Sequence, residues 1–188
     1  MAPTSAPSGS TPGFIRLIHS LNESIGRSIS WLTLFMVLIT FIVVVLRYLF
    51  NIGWIAMQES IIYMHALVFM LGASYTLKHE GHVRVDILYR DNTPRFKAWV
   101  DMLGTLFLLL PVCLFIFWIS WEYVAASWSV LETSQEAGGI PAVFLLKTVI
   151  MVMAGLLTLQ GIAIFFTNLF YLTGRLPFPA HTTADKER

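Results

Sequence analysis

Four long stretches of this chain carry no Asp, Glu, Lys or Arg. They comprise 19 residues between Arg27 and Arg47, 18 between Glu59 and Lys78, 20 between Asp101 and Glu122, and 27 between Lys147 and Arg175. A helix rises about 1.5 Å per residue, so about 20 mainly apolar residues cross a hydrocarbon core of about 30 Å. All four stretches meet that test. Inside lipid the backbone must satisfy its own hydrogen bonds, which selects helices over open strands. The chain therefore reads as an all-α membrane protein with four transmembrane helices, near residues 28–50, 54–77, 97–126 and 141–172.

Composition agrees. Hydrophobic residues make up 56% and charged residues 12%, where soluble domains carry about 25% charged residues. A soluble enzyme, a disordered chain and a nucleic-acid binder are all disfavoured. The formal net charge is +1, so bulk charge selects no acidic partner. The single cysteine, Cys113, excludes an internal disulfide and any Cys-rich metal or iron–sulfur site.

Charge in the connections sets an expected orientation. Arg16 and Arg27 precede span one; Lys78, Arg84, Arg90, Arg95 and Lys97 lie between spans two and three; Arg175, Lys186 and Arg188 follow span four. The opposite face holds only Arg47 and Lys147. The positive-inside rule then places both termini and the middle connection in the cytoplasm. The connection with Glu132 and Glu136 faces outside.

Residues 1–13, rich in Ser, Thr and Pro, read as a disordered arm, and residues 173–188 as a cytoplasmic tail. The first long apolar run ends in Arg47-Tyr48-Leu49-Phe50, without a small-residue cleavage site, and reads as an uncleaved span. Over residues 14–27, Phe14, Leu17, Ile18, Leu21 and Ile25 recur at three- and four-residue steps. That spacing predicts an amphipathic helix in the cytoplasmic headgroup region, with a soluble helix leading into span one as the alternative. At the other face, Trp118, Trp121, Tyr123 and Trp128 mark the outer interface; a sugar- or aromatic-binding platform is the less favoured reading. Gly138-Gly139-Ile140-Pro141 predicts a turn before span four, and its glycines allow close approach by a neighbouring protein.

No catalytic, cofactor-binding or metal-binding constellation emerges, and the chain is read as a non-enzyme. Of five histidines only His65 lies mid-span, so the facing pair needed for haem is missing. His79 and His82, with Asp86 near, lack further ligands of clear geometry. Neither a nucleophile motif nor a phosphate-binding glycine motif is present. Two intramembrane charges stand out. Glu59 lies about 7 Å past Trp54, and Lys147 about 9 Å past Pro141, entering from the same face. Either the two pair across the bundle, or Lys147 snorkels outward and Glu59 bonds a partner subunit. Span two carries two polar-seeded faces, one through Gln58 and His65 and one through Glu59 and Tyr63, which suits a helix enclosed by others. Gly155, Thr158 and Gly161 let helices approach span four, whereas spans one and three suit lipid or a hydrophobic partner groove. Broken helices, paired repeats and convergent midplane polar groups mark carriers. None of these is legible here, so an accessory or scaffold subunit fits best. The rivals are a membrane anchor of a respiratory or redox complex and a small homo-oligomeric channel or exporter.

Several blocks together carry a family resemblance. Arg47-Tyr48-Leu49-Phe50-Asn51, Gln58-Glu59, Leu71-Gly72-Ala73, Gly81-His82-Val83-Arg84-Val85-Asp86, and Glu132-Thr133-Ser134 through Gly138-Gly139-Ile140-Pro141 with Lys147 occur in order. The chain resembles the small, DctQ-like membrane subunit of tripartite ATP-independent periplasmic (TRAP) transporters. One position departs: the family's Glu-Glu pair reads Gln58-Glu59, with its Trp displaced to Trp54. The resemblance implies a large multi-span membrane subunit and a periplasmic substrate-binding protein as partners, in a bacterial or archaeal inner membrane. It also implies cation-coupled import of organic acids, with sodium on the large subunit and no cofactor in this chain. Arg47, Glu59, His82, Asp86 and Lys147 are the positions carried over, as partner-contacting or structural residues. Arg47 would meet outer headgroups or a large-subunit loop, and His82 with Asp86 a cytoplasmic loop. Gly138 and Gly139 in the acidic outer loop would meet the binding protein.

Overall fold

The computed structural model describes residues 11–82 and 92–177. Its elements are α1 (Gly13–Leu49), α2 (Ile55–Lys78), α3 (Pro94–Gly104), α4 (Leu110–Ser129) and α5 (Val143–Leu172), with a π-helical turn at Thr105–Leu109 joining α3 to α4. No strand occurs among the described residues. With α3 and α4 taken as one rod, four helices among the described residues are long and apolar enough to cross a membrane. The all-α, four-span architecture holds.

Helix α5 is the centre of the bundle, packing on α2 and α4 and also on α3 and α1, while α1 packs chiefly on α2. It buries Val149, Ala154, Leu156, Gln160, Gly161, Ala163 and Asn168. Small residues let its neighbours in close. A Cβ at Gly161 would lie 3.0 Å from the Leu109 and Leu110 methyls, so the π turn seats on that glycine. The turn ends two residues before Pro111, whose missing N–H cannot continue the α-helical ladder, and the register opens there.

The amphipathic segment and span one form a single 37-residue helix. At about 1.5 Å per residue such a helix is about 55 Å long, more than an untilted crossing of a 30 Å core can use. Its first half binds the bundle through Ile15, Asn22, Gly26 and Ile29. Of the predicted apolar stripe, Phe14, Leu17 and Leu21 are exposed and Ile18 and Ile25 half-buried. Instead the polar Asn22 goes inside, its Nδ2 donating to Gln160 Oε1 at 2.8 Å. Gly26 lies under Tyr75, where an added Cβ would fall 2.9 Å from Tyr75 Cβ and closer still to the ring. The Phe14 and Phe166 rings meet edge-on at 5.6 Å, tying the start of α1 to the end of α5.

Candidate functional site

The segment between α4 and α5 is a loop folded back on itself. Glu132 N–H donates to the Ser127 carbonyl at 3.0 Å and Val143 N–H to the Glu132 carbonyl at 3.1 Å. Within it, Ser134 N–H donates to the Ile140 carbonyl at 3.3 Å and Gly139 N–H to the Glu136 carbonyl at 3.0 Å. The Ser134 hydroxyl oxygen also accepts from Glu136 N–H at 3.1 Å. Gly138 has φ +82°, the left-handed region that glycine enters without a Cβ penalty.

Two charged side chains fasten this loop to the bundle. Glu59, in the first turns of α2, accepts from the Ser134 hydroxyl with one carboxylate oxygen. Its other oxygen accepts from Ile140 N–H at 2.6 Å. Gly139 passes so near that a Cβ there would lie 2.5 Å from Ser134 Cβ and 2.8 Å from Glu59 Oε1. The two glycines thus have separate reasons, backbone angle at Gly138 and close approach at Gly139. Lys147, in the first turns of α5, holds the loop's other end. Its ammonium donates to Glu132 at 2.5 Å and sits 4.1 Å from the centre of the Tyr123 ring. Glu132 also accepts from the Ser127 hydroxyl at 2.6 Å. The Lys147 ammonium, and then the Ser127 hydroxyl, hold its carboxyl below the usual carboxylate range against an opposing effect of burial. Beside this contact Trp128 Nε1–H donates to Thr148 Oγ1 at 2.8 Å.

Glu59 and Lys147 therefore do not pair across the bundle. Both enter from the loop end, but each has a loop group as its partner, because the folded-back loop brings Ser134, Ile140 and Glu132 between them. Lys147 does not simply snorkel outward either. Gln58 precedes Glu59 but makes none of these bonds, and Arg47 is exposed in the last turn of α1.

The opposite end of the bundle has its own ionic cluster. Glu23 accepts from Lys78 Nζ at 2.6 Å and Arg27 Nε at 3.0 Å, and faces His79 Nε2 at 2.9 Å. His82 is exposed, its Nε2 3.3 Å from the Ala73 carbonyl, so it and His79 turn to different partners. Asp86 lies outside the described residues. Among the described residues no three His, Cys, Asp or Glu side chains gather as a metal site.

Sequence reasoning missed Ser134, Ser127 and Glu132 as the partners of the two charges, and Asn22 with Gln160 as an interhelical pair. The first three stood in or beside the Glu132-Thr133-Ser134 block, where a signal existed. The amide pair is separated by 138 positions, and nothing local announces it.

Residues 36–170 match the family model for tripartite ATP-independent periplasmic transporters, DctQ component. The chain belongs to the DctQ family. No curated protein and no solved structure matches it. The match includes Glu59, the loop between α4 and α5, and Lys147, and excludes the first half of α1 with Asn22, Glu23 and Gly26. DctQ proteins are transporter components rather than an enzyme family, so this chain is a small membrane subunit of a TRAP transporter.

Proposed function

We propose that this chain is a stationary brace for the large transport subunit of a TRAP importer. The observation that carries the reading is how its intramembrane charges are used. Glu59 and Lys147 fasten the outer loop to α2 and α5, each charge bonded to groups of that loop. Polar groups committed to internal bonds serve rigidity, whereas a carrier needs convergent groups left for solute. The long first helix, with Phe14, Leu17 and Leu21 exposed, suits a segment resting in the cytoplasmic headgroup layer. Both termini are then cytoplasmic, in keeping with the ten Lys and Arg on that side, and the clasped loop faces the periplasm. There Gly138 and its acidic neighbours are offered to the substrate-binding protein. The sodium that drives uptake, and the organic acid itself, belong to the large subunit.

The test is reconstitution. Proteoliposomes holding this chain, its large subunit and the binding protein are assayed for organic-acid uptake driven by an inward sodium gradient. Uptake that requires both membrane subunits, with no flux from this chain alone, is expected. Flux from this chain alone would overturn the brace reading in favour of a channel. Haem absorbance from the purified chain would favour a redox anchor.

A further inference from the structure

We propose that the face of α1 and α2 around His65 seats a transmembrane helix of the large subunit, and that this helix offers His65 a hydrogen-bond acceptor. The proposal rests on the reading of the chain as a small transporter subunit. His65 stands eleven residues past Trp54 and fourteen before His79, about 16 Å and 21 Å along the helix axis. It is therefore near mid-depth. Its ring is exposed and stacks on Phe69, at 6.2 Å between centroids and 15° between planes; Phe69 itself is 72% exposed. No described residue hydrogen-bonds the His65 ring. The neighbouring Thr40 hydroxyl is used within α1, donating to the Met36 carbonyl at 2.7 Å.

The ring borders a hollow of about 590 Å³ between the two helices, lined also by Met36, Val37, Thr40, Phe41 and Ile62. A polar ring at mid-depth is costly in hydrocarbon unless it is bonded. An acyl chain could fill the hollow but carries no acceptor at that level. Lipid ester oxygens lie about 15 Å away at the edge of the core, beyond the reach of an imidazole. A second copy meeting this one about a two-fold axis through the hollow would set concavity against concavity, leaving both unfilled. A convex helix surface fits, provided it presents a carboxylate, carboxamide or hydroxyl oxygen opposite His65. The large membrane subunit is the component of such a transporter able to supply one at this depth.

The experiment uses the assembled complex, purified in mild detergent through a tag on this chain. Wild type, His65→Leu and His65→Gln are compared for retention of the large subunit, and Ile62→Cys and Phe69→Cys for cross-linking to it. His65→Leu is expected to weaken the complex about three- to twentyfold, the range for one interhelical hydrogen bond, with His65→Gln retaining most of the affinity. Cross-links from both cysteines to the large subunit are expected, and these report proximity even if His65→Leu folds poorly. Retention by His65→Leu equal to wild type, or cross-links only between copies of this chain, overturns the proposal while leaving the brace reading intact. A wild-type chain that retains no large subunit overturns both.

Discussion

Removing the Asn22–Gln160 contact one side at a time is predicted to harm the protein more than removing both sides together. The two amides are fully buried and share one bond of 2.8 Å between α1 and α5. Asn22 Oδ1 and Gln160 Nε2 find no partner among the described residues. Gln160→Leu would leave a whole buried carboxamide unbonded on Asn22, and Asn22→Leu would do the same to Gln160. Each single change should cost about 1–3 kcal/mol, the penalty for a stranded buried polar group. The bond itself is worth less, about 0.6 kcal/mol on average between membrane helices and at most about 1.7. The double variant loses that bond but also removes both orphaned atoms, and leucine has the same branched heavy-atom shape as asparagine. Its cost should stay below about 1 kcal/mol. The assay is reversible unfolding in mixed micelles, run as a double-mutant cycle. If the double variant instead costs the sum of the singles to within about 0.5 kcal/mol, the two residues are not coupled and the reasoning fails.

Gly139→Ala should expose residues 130–142 to proteolysis, because the new methyl displaces Ser134 from Glu59. Gly138→Ala should do so through backbone strain, and a loop as well protected as wild type in both variants would refute the clasp. The exchange Glu59→Lys/Lys147→Glu should fail to restore assembly lost in the single reversals, whereas Glu132→Lys/Lys147→Glu should recover part of it. Recovery in the first exchange would mean the two intramembrane charges do pair. Because Glu132 has a lowered folded pKa, its stabilising contribution is complete above the unfolded value of about 4.3. That contribution disappears as pH falls through the lower folded value. Loop protection measured from pH 7 downward should fall across that acid window in wild type, and Glu132→Gln should flatten the dependence.

The four spans were legible because lipid makes a demand that each segment must meet alone, and an uncharged run of about 20 residues records it directly. Glu59 and Lys147 were legible as anomalies for the same reason. Their partners were not, because Ser134, Ile140 and Glu132 reach them only through the shape of a loop whose turn depends on Gly138 and Gly139. The first half of α1 shows the limit most clearly. Periodicity picked out Phe14, Leu17, Ile18, Leu21 and Ile25, of which the structure leaves the first two and Leu21 exposed and the other two half-buried. The buried face is led by Asn22 and Gly26, chosen by a distant glutamine and by the Tyr75 ring. Local pattern reads the demands of solvent or lipid on a helix, and it is silent about what one helix asks of another.

The clasp on Glu59 also has a history within each molecule's synthesis. Ser134 and Ile140 follow it by 75 and 81 positions. At about 5–20 residues per second, these donors emerge roughly 4–16 s after the carboxylate they will satisfy. Glu23 finds Lys78 within the first pair of helices, 55 positions later, so that end of the bundle has its partners on hand first. Until the segment between α4 and α5 is made, the Glu59 carboxylate lacks both loop donors that it uses in the folded chain. A first pair of helices with its partners on hand at one end and still wanting them at the other is what the order of these contacts along the chain entails.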